Sequence, residues 1–174
     1  MNLRRAIFTL LFLVSSCTFT PLNQLLENET YNDALAQFHF AEVKSKYKHL
    51  LDIYLQRQFN PQHLDNEKIY DIYIDVNSNL EDLLVQQDSS ISVKEVKFNT
   101  HYKIISRKTK KVISKGSFST AVSYAETSSL YSSYVNEEYS YKNGLKEVAR
   151  QLRLQALITI SKDKLSENTA KGNS

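Results

Sequence analysis

Two long stretches of alternating apolar and polar residues, joined by a short basic turn, restrict this chain more than any other feature. In the second stretch Val112, Ser114, Gly116, Phe118, Thr120, Val122 and Tyr124 fall on one side of an extended strand. In the first, which runs from Ile91 to Ser106, Val96, Phe98, Tyr102 and Ile104 hold one phase, whereas Ile91 and Val93 hold the other. A one-residue slip exchanges the two faces of a strand, so the change at Lys94-Glu95 predicts a β-bulge there. Arg107-Lys108-Thr109-Lys110 reads as the turn, and the whole as an antiparallel hairpin. A half-buried hairpin of this length needs a second layer over its apolar face.

The remaining periodicities supply that layer. Gln37 to Val43 alternates, with Phe38, Phe40 and Glu42 in one phase, and predicts a short strand. From Ser45 to Phe59 the period becomes helical: Tyr47, Leu50, Leu51, Tyr54 and Leu55 share a face, Ser45 is a candidate N-cap, and Asn60-Pro61 ends the run. Lys68 to Asn77 predicts another strand, with Tyr70, Ile72, Ile74 and Val76 on one face and Asp71, Tyr73 and Asp75 on the other. Residues 125–142, rich in Ser, Tyr and Glu, fit either a loop or the start of the final helix. That helix carries Leu145, Val148, Ala149, Leu152, Ala156 and Ile160 on one face, with Asn143 as a candidate N-cap. The order β-α-β-β-β-α predicts an α+β two-layer sandwich, a mostly antiparallel or mixed four-stranded sheet with two helices on one face.

The N-terminus carries a different signal. Arg4 and Arg5 precede the apolar run Ala6 to Val14, and Ser15 and Ser16 stand before Cys17. This is the order of a secretory signal peptide, and the run is shorter than the ~20 apolar residues that span a bilayer. Val14-Ser15-Ser16-Cys17 resembles a bacterial lipobox, which predicts cleavage after residue 16 and a covalent lipid on Cys17, with no other cofactor. The expected organisation is a cleaved segment 1–16, a lipidated tether 17–35, one domain over 36–165 and a disordered tail 166–174. Cleavage takes away Arg4 and Arg5 and no acid, so the net charge of +3 falls to +1. Nucleic acid is therefore not an expected partner.

No catalytic pattern emerges. His39, His49, His63 and His101 are scattered, without metal-ligand spacing, and His49 with Asp52 reads as a solvated helix face. Glu81-Asp82 and Glu137-Glu138 are adjacent acids rather than facing ones, and no phosphate loop or nucleophile elbow is present. An enzyme is not expected. Two features suit binding instead. Arg107, Lys108, Lys110 and Lys111 cluster at the hairpin turn, where several cationic donors at one point suit phosphate; the alternative is a turn kept soluble by lysines. Tyr124, Tyr131, Tyr134, Tyr139 and Tyr141 offer large contact area with one hydrogen bond each, at an interface or packed on the sheet.

Cys17-Thr18-Phe19-Thr20-Pro21-Leu22 is similar to the Cys-Gly-Phe-x-Pro-Leu start of the LptE family, the lipopolysaccharide-assembly lipoproteins, in its alphaproteobacterial form. Thr18 replaces the usual Gly, and Asn23 stands where Tyr is common. The long hairpin from Val96 to Tyr124 and the final helix with Ala149, Leu152 and Ala156 agree with the resemblance. It implies an outer-membrane, periplasm-facing lipoprotein that plugs the β-barrel translocon LptD, supports its assembly and helps deliver lipopolysaccharide to the cell surface. The tyrosines would then meet the barrel wall, and Arg107, Lys108, Lys110 and Lys111 the lipid phosphates. The alternatives are an auxiliary lipoprotein of a lipid ABC transporter and a secreted hydrolase with an unrecognised site.

Overall fold

A computed structural model describes residues 29–85 and 91–171. The signal segment, Cys17 and the tether as far as residue 28 lie outside the described residues, as do 172–174 of the tail. The elements are α1 (Glu29–Ala36), β1 (Phe38–Ser45), α2 (Lys48–Phe59), β2 (Tyr70–Val85), β3 (Ile91–Ser106), β4 (Val112–Thr127) and α3 (Leu130–Lys171). From β1 onward this is the expected β-α-β-β-β-α order. The strands form one sheet in the order β1-β2-β3-β4. β1 and β2 are parallel, which requires the crossover that α2 provides, and the other two pairs are antiparallel.

The buried face follows the alternation. Ile72, Ile74 and Val76 of β2 and Val96, Phe98 and Ile104 of β3 lie under Leu51, Leu55 and Phe59 of α2 and Leu145, Val148, Ala149, Leu152 and Ala156 of α3. Each fully buried aliphatic or aromatic side chain contributes about 1.5–3 kcal/mol relative to exposure, so this interface dominates stability. Phe59 packs edge-on against both Phe38 and Phe40, at 5.6 and 5.1 Å between ring centroids, closing the β1 side.

Three local readings change. Ala41 is an extra residue in β1, since Phe40 pairs with Ile72 but Glu42 with Tyr73. That bulge turns Val43 inward and Glu42 outward, reversing the phase expected for Glu42. The irregularity expected at Lys94-Glu95 lies across the ladder instead. β3 is continuous against β4 there, and Leu83 of β2 is the extra residue, between Asp82, paired with Lys94, and Leu84, paired with Val93. Ser45 does not cap α2; its hydroxyl accepts the Tyr47 N–H at 3.2 Å, and the N-cap position is Tyr47, which makes no side-chain cap bond.

The last helix is far longer than its apolar stripe predicts. It begins at Leu130, where the Ser129 hydroxyl accepts the Ser132 N–H at 3.4 Å and the Ser129 carbonyl accepts the Ser133 N–H at 3.0 Å. Asn143 is therefore an interior residue, and residues 125–142 are the end of β4 and the first turns of α3. The helix also continues through 166–171, where a tail was expected. Gly144 lets α3 pack tightly on β3: a Cβ there would lie 2.0 Å from Cε2 of Phe98. Among the described residues no helix is long and apolar enough to cross a membrane.

Candidate functional site

The basic turn and the first turns of α3, which carry Tyr131 and Tyr134, occupy opposite ends of the sheet, because β4 runs from the turn to the start of α3. At the turn, the Ser106 N–H donates to the Lys111 carbonyl at 3.0 Å and the Lys110 N–H to the Ser106 carbonyl at 2.8 Å. Lys110 adopts a left-handed backbone (φ 58°) to close it.

The four basic residues do not act as one cluster. Arg107 turns back to Asp71, with Nε and Nη2 donating to Oδ1 at 2.8 and 2.7 Å. His39 Nδ1 lies 2.9 Å from the same oxygen. Arg107 above all, with His39 assisting, holds the Asp71 carboxyl below the usual aspartate range against the opposing effect of burial. This group fastens β1 and β2 to the hairpin turn, and of the four basic residues Lys108, Lys110 and Lys111 stay exposed with no ion pair among the described residues. Spacing along the chain does not signal the Asp71–Arg107 pair. The partial signal is that Asp71 falls on the polar phase of its strand.

The five tyrosines also divide. Tyr124 is buried on the helix-facing side of β4, and Tyr141 packs against Tyr47 at 4.8 Å and edge-on to Phe98 at 6.0 Å. Burial pushes the Tyr141 phenol up to about 12 and raises that of Tyr124. Tyr124 thus belongs to the core, and Tyr141 packs against it from within the chain while staying partly exposed. Tyr131, Tyr134 and Tyr139 are exposed by 79%, 66% and 65%, and Leu130 and Val135 are exposed beside them. α2, at 12 residues, is too short to reach these first turns of the 42-residue α3.

The other face of the sheet, turned away from the helices, is largely polar. Its rows read Tyr73–Lys103–Lys115, Asp75–His101–Ser117, Asn77–Asn99–Ser119, Asn79–Lys97–Ala121 and Glu81–Glu95–Ser123 from the turn end outward. Glu42 and Lys44 extend the first two rows onto β1, where they pair at 3.3 Å. Lys103 lies over the Tyr73 ring at 4.6 Å, and Ser119 donates to Asn99 Oδ1 at 2.7 Å. A hollow of about 300 Å³ opens on this face between Glu42, Lys44, Asp75, His101 and Lys103. A second, of about 520 Å³, lies on the outer side of α2 beside His49, Asp52, Arg57 and His63. Among the described residues no group of three or more His, Cys, Asp or Glu is placed to hold a metal ion.

These features define a two-layer α+β domain with one polar sheet face and an uncovered aromatic stripe at a helix start. No family model matches the chain, and no curated protein matches it. Solved structures share its fold. A lipoprotein candidate from Caulobacter crescentus superposes with a TM-score of 0.61 at 14% identity, over 77% of this chain and 97% of that one. A minor lipoprotein from Acinetobacter baumannii gives 0.50 at 14% identity, over 71% and 95%. At such identity the likeness is one of fold.

Proposed function

We propose that this protein is a lipid-anchored envelope lipoprotein, held through Cys17 in the outer membrane, whose sandwich seats inside the barrel of a lipopolysaccharide translocon and assists delivery through it. The observation that carries the reading is the open sheet face. From row Tyr73–Lys103–Lys115 to row Glu81–Glu95–Ser123 its only apolar aliphatic residue is Ala121. The interior of an outer-membrane barrel is polar and wet, so a plug needs this kind of surface rather than an apolar one. Further support comes from the N-terminal lipobox pattern and from the two structural neighbours, both named as lipoproteins. In this reading Lys108, Lys110 and Lys111 face lipid phosphates, and the domain does no covalent chemistry.

A second reading, an auxiliary lipoprotein of a lipid transporter, is favoured by the exposed Leu130, Tyr131, Tyr134, Val135 and Tyr139, an apolar patch that a wet lumen does not require. Photocrosslinkers at Ser119 on the open face and at Tyr134 on α3 separate the two. A large outer-membrane barrel captured at Ser119 supports the first, and an inner-membrane permease captured at Tyr134 supports the second. Cys17 is tested by metabolic labelling with an alkynyl fatty acid: the wild type takes up label and C17S does not.

A further inference from the structure

Antiparallel sheets commonly leave one face to water, so polarity alone does not mark the open face as a contact surface. Its charge arrangement does. Lys103 and Lys115 stand directly opposite each other across β3 and β4, and Glu81 and Glu95 do so across β2 and β3. Directly opposed like charges destabilise a ladder, whereas opposite charges stabilise it. Among the described residues no carboxylate forms an ion pair with either lysine: Lys103 lies over the Tyr73 ring, and Lys115 makes no ion pair. Glu81 likewise makes none there, and Glu95 only accepts a long hydrogen bond from Ser123 at 3.4 Å. Between the pairs lie Asp75, Lys97 and His101 as single charged or titratable groups and the neutral row Asn77–Asn99–Ser119, while Glu42 and Lys44, paired with each other, continue the first two rows onto β1. Exposed Lys108, Lys110 and Lys111 add to the basic end.

We infer that the open sheet face docks on a polar protein wall whose charges run the opposite way, acidic opposite Lys103 and Lys115 and basic opposite Glu81 and Glu95. This rests on the barrel reading above and specifies the part of the lumen that the plug meets. The two like-charge pairs cost stability in the isolated domain and return it when docked, and their separation along the strands fixes the direction in which the domain enters.

The test uses two single reversals, K115E and E81K, each of which sets opposite charges across its ladder position and leaves the Lys103–Tyr73 contact in place. Both raise the thermal midpoint of the purified protein. Both lower the yield of the barrel crosslinked at Ser119 in cells by about ten-fold, since like charges facing each other across an interface are strongly disfavoured. A merely structural role would move stability and crosslinking in the same direction. Undiminished crosslinking in both variants, with the barrel recovered from wild type, overturns the inference and leaves the barrel reading standing. Failure to recover any barrel from wild type overturns the barrel reading itself. Salt-sensitive self-association of the wild type, lost in both variants, assigns the face to a second copy and overturns the inference.

Discussion

Replacing Gly144 by Ala sets two known effects against each other. Glycine inside a helix costs about 1 kcal/mol relative to alanine, so on propensity alone G144A stabilises α3. The structure reverses the sign. The new Cβ would lie 2.0 Å from Cε2 of Phe98 and 2.7 Å from both Cδ2 and Cζ, against the ~3.5–4.0 Å of ordinary carbon contacts. Phe98 is fully buried and held edge-on by Tyr141, so the ring has no solvent side to retreat to. Either α3 lifts from β3 or the ring leaves its rotamer, and overpacking of this kind costs about 1–3 kcal/mol and sometimes more. So close an approach to a buried ring falls in the upper part of that range, about 2–3 kcal/mol, and less the propensity gain the expected net loss is about 1–2 kcal/mol, which at this chain length lowers the midpoint by roughly 2–8 °C. Urea and thermal unfolding of the purified protein measure it. Trimming the ring as F98L in the G144A background should recover part of the loss, so that the double variant is more stable than the sum of the singles predicts. An unchanged or raised midpoint for G144A, or strict additivity with F98L, would refute the close packing of α3 on β3.

Other consequences concern the ends of the sheet. Left-handed backbone costs a non-glycine residue about 1–2 kcal/mol, partly offset by glycine's greater unfolded freedom, so K110G should stabilise the turn by about 0.5–1 kcal/mol in thermal melts. Because Asp71 has a lowered folded-state pKa, its contribution is complete above the unfolded value near 4 and is lost as pH falls through the lower folded value. D71N should therefore cost stability at neutral pH and flatten the stability profile below about pH 4. Tyr141 carries the opposite sign: its folded value of about 12 exceeds the unfolded value near 10, so its stabilising effect is intact below 10 and disappears as pH rises between the two. Y141F, read by denaturation from pH 9 to 12, should remove part of that alkaline loss. Exposed Tyr131 and Tyr134 should tolerate change to Ser with midpoints shifted by under about 0.5 kcal/mol.

Elements whose inner face is apolar and outer face polar were legible in the sequence: the hairpin, the α2 stripe of Leu51 and Leu55, and the Leu145–Ile160 face of α3. The first turns of α3 were not, because their pattern is inverted. Small polar Ser133 and Asn136 donate to the Thr127 and Ala125 carbonyls at the end of β4 and buried Ser140 donates to the Asn136 carbonyl, while Tyr131, Tyr134 and Tyr139 face outward. An amphipathic rule finds no helix in such a segment. The second half of β2 was hidden for another reason: Asn77-Ser78-Asn79 reads as turn chemistry, and only its pairing with Phe98, Asn99 and Lys97 on β3 keeps it extended. At the candidate site, alternation marked the polar face as a whole, whereas the Asp71–Arg107 pair and the like-charge pairs depend on cross-strand register. Register is set by bulges such as Ala41 and Leu83 that leave little trace in a single sequence.

The length of the strands has a consequence of scale. β2, β3 and β4 are each 16 residues, which at about 3.3 Å per residue makes the hairpin roughly 50 Å from end to end. The apolar slab of a bilayer is only about 30 Å thick. A domain standing upright inside a barrel would therefore project beyond the slab on both sides at once. Lys108, Lys110 and Lys111 would emerge at one water interface and Tyr131 and Tyr134 at the other. On the barrel reading, such a domain would be longer than the wall it passes through, able to meet a lipid headgroup on one side while a partner holds it from the other.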